Sequence, residues 1–269
     1  MSDLSDQTIF SDASDFIESF YSNSPWDSII DESSILLIYP RKTNVEQSSI
    51  WIILKNQLIL TYDELPQRDI LLENGSSVIN HNTKLYNLNV FSYERLKLYL
   101  RSSNKTSSEL AWSINNSKII HDKQSLHAQL LNESMAINPN QYNSFLKNYF
   151  LSSYELLLNL TIKNNSHKYI LEELLINYMR LANLIQWNHF PPILWLKDEF
   201  ILTDLGSKYN QFFDNIVLAN QENLIVTQDS IDILFRFIQD ASEIYVKKIG
   251  ERPNWLFDND QFIYTLPKI

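Results

Sequence analysis

The sequence predicts an α+β protein, in which a small mixed β-sheet with flanking helices is followed by an α-helical bundle. Two observations carry this prediction. In the first half, short isoleucine-rich runs with polar flanks, at residues 35–39 and 50–54, have the length of buried strands. In the second half, apolar residues recur every three or four positions over long segments. We therefore predict an α+β domain over residues 1–122 and a helical domain over residues 123–269.

Local patterns predict the elements of the first domain. Residues 11–22 indicate a helix with Phe16 and Phe20 on its apolar face, and the polar first ten residues are expected to be frayed. Asn74-Gly75 is a turn signal that predicts a hairpin between residues 69–72 and 77–79. Further strands are predicted at residues 57–62 and 84–91, and helices at 93–100, 107–115 and 126–131.

Three long helices are predicted in the second half. The first follows Pro139, the second runs through residues 171–185, and the third spans residues 227–249. Pro191-Pro192 ends the second helix because proline lacks the amide proton that a helix interior needs. Gly250 is the clearest stop signal in the chain and follows two lysines in the last turn of the third helix.

Composition excludes several classes of site. The formal charge of −10 argues against a nucleic-acid-binding surface, which needs clustered Lys and Arg. Cysteine is absent, so disulfides and thiolate chemistry are excluded. The three glycines are too scattered for a phosphate-binding loop. Because no apolar run approaches membrane-spanning length, we expect a cytoplasmic protein that is not associated with a membrane.

Isolated residues offer few metal sites. The five histidines lie singly along the chain and are predicted to be surface or core-edge residues: His81, His121, His127, His167 and His189. Asp258 and Asp260 are a candidate metal pair, although a polar surface turn is the favoured interpretation. The role of the tail after Gly250 is left open.

Several segments of the helical half are similar to the motifs of a known family. Tyr178-Met179-Arg180-Leu181-Ala182, followed by Phe190-Pro191-Pro192 and Trp195-Leu196, resembles the C-terminal helical domain of the nucleotidyltransferase-fold (DNA polymerase β-like) family. Residues 117–122, with Leu126 and Pro139 after them, are similar to the strand and helix that join that family's two domains. Leu194 stands where the family has a lysine before the tryptophan. The resemblance is best over residues 115–200.

The resemblance implies a metal-dependent active site in the first domain. Active members carry Gly-Ser at the end of one strand, Ser-Asp-x-Asp at the start of the next, and a third carboxylate on a later strand. These carboxylates hold a divalent metal against a nucleoside triphosphate. In this chain Tyr39-Pro40 stands where Gly-Ser belongs.

The acidic positions of that motif are occupied by neutral residues. Ser48 is kept, but Ser49 and Trp51 replace the two acids. On the later strand, Asn87 or Asn89 stands at the third position. These five residues are the predicted degenerate metal-site positions. We expect the Trp51 ring to fill the former metal site, and stacking on a nucleobase is the alternative.

The resulting hypothesis is a pseudoenzyme: a catalytically inactive nucleotidyltransferase-like module, without a cofactor, that binds or regulates through a protein partner or a small ligand. The alternative is an active enzyme that uses Mg²⁺ and a nucleoside triphosphate to modify a small-molecule hydroxyl or amine. Asp63 and Glu64 are the nearest carboxylates for that alternative, but adjacent residues of one strand point to opposite faces. A third interpretation is a structural or interaction protein unrelated to the family.

The aromatic segment at residues 187–200 has two interpretations. Large rings around a proline break are usually core, and this interpretation is favoured. The rival interpretation is a pocket wall containing Trp187 and Trp195, in which Arg180 and Lys197 face an anionic ligand.

Overall fold

The computed structural model describes residues 2–21, 33–38, 47–55, 76–81, 84–102, 104–135, 139–161, 167–219 and 227–256. The chain divides into two compact units, Met1–Ile137 and Asn138–Ile269. The first unit is a mixed sheet with helices and the second is helical, so the predicted α+β class is confirmed.

The first unit is built on a five-stranded sheet with the strand order β3-β4-β2-β1-β5. The strands are β1 (Ser33–Ile38), β2 (Gln47–Leu54), β3 (Ser76–His81), β4 (Lys84–Ser92) and β5 (Ser117–Asp122). Strands β2 and β4 are parallel neighbours, whereas the other three pairings are antiparallel. The sheet is therefore mixed, as predicted.

The helices of the first unit are α1 (Ser2–Tyr21), α2 (Tyr93–Leu100), α3 (Lys105–Asn115) and α4 (Leu126–Met135). Helix α1 lays Phe16 and Ile17 on one face of the sheet, where they meet alternate residues of β1, β2 and β4. The helix begins at Ser2, so the expectation that the first ten residues are frayed is wrong.

Asp122 joins the sheet to α4. Its carboxylate accepts hydrogen bonds from the amides of Leu126 (2.8 Å) and His127 (3.1 Å), which satisfies two of the free N–H groups at the helix start. Helix α4 contacts β1 and β5. The first compact unit therefore extends past this helix to residue 137, whereas the sequence places the domain boundary at residue 122.

Strand β5 pairs with β1 through a register shift. Ile35 lies opposite His121 and Leu36 lies opposite Ile119, so Ile120 has no partner in the ladder. An extra residue of this kind is a β-bulge, which bends the strand.

Among the residues described, the second unit contains five α-helices: α5 (Pro139–Thr161), α6 (His167–Trp187), α7 (Leu196–Ile201), α8 (Asp204–Ala219) and α9 (Gln228–Ile249). A 3₁₀ turn at Ile193–Trp195 precedes α7. Helix α6 ends before Pro191-Pro192, as predicted. Thr227 caps α9 and Gly250 ends it in a left-handed conformation with φ of 83°.

Helix α8 was not predicted, and Gly206 near its start shows how closely it packs. A Cβ atom at Gly206 would lie 1.7 Å from the carbonyl oxygen of Phe200. Only a residue without a side chain allows the turn between α7 and α8 to close this tightly.

Some predicted elements lie outside the described residues: the strand at residues 57–62, the hairpin arm at 69–72 and the Asn74-Gly75 turn. Residues 77–79 belong to β3, which pairs with β4. Within the described ranges, no helix combines the length and hydropathy needed to cross a membrane.

Candidate functional site

The candidate site lies where β2 and β4 run side by side. In this parallel pair, Ser49 lies opposite Asn87 and Trp51 lies opposite Asn89. Residues two apart on a strand share a face, so all four residues lie along one face of the sheet. The structure thus brings together four of the five positions that the sequence singled out.

Ser49 is the centre of a hydrogen-bond network among these residues. Its Oγ accepts hydrogen bonds from Trp51 Nε1 at 3.1 Å and from Asn89 Nδ2 at 3.0 Å. The same hydroxyl donates to the backbone carbonyl of Asn87 at 3.2 Å. A serine hydroxyl has one donor and two acceptor positions, and all three are occupied here.

The network is shielded from one side and open at the other. Ser49 is 5% exposed and Trp51 is 7% exposed, whereas Asn87 is exposed and Asn89 is half-buried. The Trp51 ring packs against Phe91 with 4.8 Å between ring centroids and a 58° tilt. The indole therefore belongs to the packed side of this face, with its N–H turned to Ser49.

Ser48, the fifth position, points the other way. Alternation places it on the face covered by α1, opposite Tyr86 in the β2–β4 register. The Tyr86 ring stacks on Phe16 at 4.8 Å. Burial raises the pKa of Tyr86, and the carboxylates of Asp12 and Asp15 raise it further.

The chemistry of the network is neutral throughout. A hard cation such as Mg²⁺ prefers carboxylate and water oxygens, and Ser49 Oγ already accepts two N–H groups. Within the part of the chain described by the structure, no cluster of three or more His, Asp or Glu side chains is placed to hold a metal ion. The network therefore ties two strands together and offers no free anionic oxygen.

The candidates in the helical unit have separate contacts, and the burial of Trp195 agrees with the favoured interpretation that this segment is core. The Arg180 guanidinium lies over the Phe190 ring, with its carbon 5.4 Å from the ring centroid. Lys197 instead forms an ion pair with Asp214 of α8. Trp195 is 8% exposed and belongs to the core, whereas Trp187 is half-buried.

Arg180 nevertheless keeps one unusual feature. Its Nε is buried and meets no hydrogen-bond acceptor among the described residues. The Phe190 ring that it covers is fully buried, 5.6 Å from the ring of Tyr149 and 6.0 Å from that of Phe145. The guanidinium therefore lies over a fully buried ring.

Several sequence candidates lie outside the described residues: Tyr39, Pro40, Asp63, Glu64, Asp258 and Asp260. Of the histidines, His121, His127 and His189 are half-buried, in agreement with a core-edge position. His127 Nε2 lies 3.1 Å from Ser117 Oγ and 3.2 Å from the carbonyl oxygen of Ile114, at the end of α3.

Lys248 makes contacts that the sequence did not predict. Its Nζ donates to the carbonyl of Ile185 at 2.6 Å and to Asn188 Oδ1 at 2.8 Å, at the end of α6. The basic last turn of α9 was visible in the sequence, but its contact with α6 was not, because the two segments are about 60 residues apart.

Comparison with protein-family models gives no match. Comparison with curated protein sequences gives no match either. Among solved structures, the chain is similar to a nucleotidyltransferase-like protein from Exiguobacterium sibiricum 255-15, with 14% identity and a TM-score of 0.39. The similarity covers 90% of this chain and 78% of that one. A similarity of this size assigns neither a family nor a function.

Proposed function

We propose that this chain is a catalytically inactive nucleotidyltransferase-like protein that acts as a binding or regulatory module for a protein partner or a small ligand. The proposal rests on the resemblance of residues 115–200 to that family and on the neutral residues at the acidic motif positions. The single observation that supports it best is the network centred on Ser49.

The network supports the proposal because its N–H groups already occupy the oxygen lone pairs that a metal ion would need. Nucleotidyl transfer requires anionic oxygens that hold a divalent cation against the triphosphate. At the corresponding positions Ser49 Oγ accepts N–H groups from Trp51 and Asn89. Both N–H groups direct their partly positive hydrogen atoms at Ser49 Oγ. A cation at this place would be repelled by them.

Calorimetry with nucleotides tests the proposal. The full chain is titrated with ATP, GTP, CTP and UTP in turn, once with Mg²⁺ and once with EDTA, while pyrophosphate release is followed in parallel. We expect no metal-dependent heat and no pyrophosphate above the buffer rate. Heat that is equal with Mg²⁺ and with EDTA supports a small-ligand module, and no heat supports a protein partner.

One result would overturn the proposal. Binding that appears only with Mg²⁺, together with pyrophosphate release, shows an active nucleotidyltransferase. The double variant Asp63→Asn with Glu64→Gln then asks whether these two acids supply the metal ligands. A double variant with unchanged pyrophosphate release excludes that pair.

A further inference from the structure

Helix α2 has an exposed face that combines a cationic side chain with apolar ones. Arg95, Leu98 and Tyr99 are spaced i, i+3 and i+4, so they lie on one face of the helix. Leu98 is 67% exposed, Tyr99 is 37% exposed, and Arg95 is exposed as well. The helix packs through its other side, where Leu96 and Leu100 are buried. A single exposed leucine is ordinary on a protein surface, but here two large side chains stand beside a cation.

The Arg95 side chain is held against Tyr99. Its Nε donates a hydrogen bond to the Tyr99 hydroxyl at 3.0 Å, and its guanidinium carbon lies 5.6 Å from the centroid of that ring. Both contacts leave the positive charge of Arg95 in place. A side chain that is already fixed loses less entropy when a partner binds to it. Arginine and tyrosine are also the residues that contribute most often to the binding energy of protein interfaces.

The segment that contains this face is opposite in charge to the rest of the chain. Residues 95–105, RLKLYLRSSNK, contain four basic residues and no acidic one, whereas the whole chain has a formal charge of −10. The acidic residue directly before the segment is Glu94, which stands in the first turn of α2, where the helix dipole favours a negative charge. The charge of α2 beyond its first turn is therefore positive.

The acidic residues that pair with this segment balance only part of its charge. Glu133 of α4 lies 2.9 Å from Arg101 and 3.8 Å from Lys97, so one carboxylate serves two cations. Lys105 pairs with Glu109 of α3 at 3.7 Å. Neither of these carboxylates takes part in the contacts of the Arg95 guanidinium with Tyr99. The exposed face therefore combines apolar area with a positive charge.

We propose that this face of α2 is a docking surface for an acidic protein segment that carries apolar side chains. Leu98 and Tyr99 would contact the apolar side chains, and Arg95 would bind a carboxylate beside them. Charge complementarity selects an acidic partner, and the exposed leucine selects a protein segment, since a nucleic-acid backbone offers phosphates and sugars. The inference goes beyond the function proposed above, because it holds whether or not the chain is catalytically active.

Fluorescence anisotropy with designed peptides tests the proposal on the full chain. The first labelled peptide is a helix with leucines on one face and glutamates beside them. The second has glutamine in place of every glutamate, and the third has serine in place of every leucine. We expect the first peptide to bind at least about fivefold more tightly than either of the others, and its Kd to rise with salt, because salt screens exposed charges.

A pair of matched double variants locates the binding surface. Arg95→Glu with Leu98→Ser removes the charge and the apolar side chain of the proposed surface. Lys168→Glu with Tyr169→Ser is the control, because Lys168 is exposed and Tyr169 is 76% exposed at the start of α6. Both double variants change the net charge by the same amount. We expect the first to weaken binding of the leucine–glutamate peptide by at least about tenfold and the control by less than about twofold.

Urea unfolding shows that both double variants remain folded, since all four positions are exposed. Equal affinity for the glutamate and glutamine peptides contradicts the proposal, and so do equal losses in the two double variants. Other occupants give different results. A single-stranded oligonucleotide that binds as tightly as the first peptide assigns the surface to nucleic acid. A dimer in sedimentation equilibrium that Arg95→Glu with Leu98→Ser dissociates assigns it to a second copy of the chain, and either result overturns the proposal.

Discussion

Asn89 Nδ2 donates a hydrogen bond to Ser49 Oγ at 3.0 Å and so joins β4 to β2 across 40 residues of sequence. The bond stands beside the parallel backbone ladder of the two strands. Because the same oxygen also accepts the Trp51 N–H, one hydroxyl fixes the positions of an amide and an indole. Two side chains on one face of the sheet thus share a single acceptor oxygen atom.

The first prediction concerns that oxygen. Ser49→Ala leaves the Trp51 N–H, which is buried, without its acceptor, and it also removes the acceptor of Asn89. We expect the free energy of unfolding to fall by about 1–3 kcal/mol, the usual cost of an unsatisfied buried donor. Urea unfolding measures the change. Ser48→Ala is the control, because Ser48 is equally buried but lies on the opposite face; equal losses for the two variants would contradict the role given to Ser49.

The second prediction places one carboxyl group in the network. Asn89→Asp replaces the donor to Ser49 with a group that, when ionised, only accepts. We expect the introduced carboxyl to have a raised pKa in the folded state. Its stabilising protonated form is present at low pH and is lost as the pH rises, so the variant should lose about 1–3 kcal/mol more at pH 7 than at pH 4.

Urea unfolding at both pH values measures this difference against wild type. Asn87→Asp is the control, because the Asn87 side chain is exposed and solvent screens its charge. Mg²⁺ titration of Asn89→Asp should show no binding, since one carboxylate beside neutral groups is too few ligands. A pH effect of the same size in both variants would show that Asn89 is not tied to Ser49.

The third prediction concerns the turn between α7 and α8. Gly206→Ala puts a Cβ atom 1.7 Å from the Phe200 carbonyl oxygen, so the backbone must shift. Alanine is the better helix former by about 1 kcal/mol, but we expect a net loss of roughly 2–4 kcal/mol because the clash is with backbone. Thermal unfolding reports it. Gln211, five residues further along the same helix, is exposed and provides the control. Gln211→Ala should change the free energy of unfolding by under about 0.5 kcal/mol. If Gly206→Ala left the free energy of unfolding unchanged, the turn would be loose.

The fourth prediction concerns alkaline pH. Burial raises the pKa of Tyr154 to about 12, from the ordinary value of 10.0. The folded state keeps this proton where the unfolded chain releases it, so stability is full below pH 10 and is lost as the pH rises toward 12. At one pKa unit per 1.36 kcal/mol, the loss from this residue is up to about 3 kcal/mol.

Tyr154→Phe should remove that part of the alkaline loss, measured by urea unfolding from pH 8 to pH 12 together with tyrosinate absorbance. Tyr169→Phe is the control, because Tyr169 is 76% exposed. If the two variants had the same alkaline profile as wild type, the burial of Tyr154 would carry no pH dependence.

Much of the fold follows from local sequence. Helix α2 was predicted at its observed bounds, and Thr227 and Gly250 mark the two ends of the α9 region, since caps and stops act within one turn. Helix α8 was missed although Leu205, Tyr209, Phe213 and Ile216 recur at helical spacing and are all buried. A glycine at its third residue looks like a helix breaker, and only the packing against Phe200 explains it.

The site was predictable only in part. The resemblance to the nucleotidyltransferase-fold motif singled out Ser49 and Trp51 on β2, but it left Asn87 and Asn89 as alternatives for the third position. The parallel register places one opposite each of the two β2 residues, and this register depends on chain closure over about 40 residues. The rival interpretation of the aromatic segment had Arg180 and Lys197 facing one ligand. Lys197 instead pairs with Asp214 of α8, a helix that was not predicted.

The bulge at Ile120 limits how far this sheet can grow. Among the described strands, β5 forms one edge of the sheet. A regular edge strand is a template to which another chain can add a strand through backbone hydrogen bonds. The extra residue breaks the even spacing of β5, and Lys118 would bring a charge beside any incoming strand. The exposed Ile119 at this edge would otherwise favour aggregation, and the bulge opposes it.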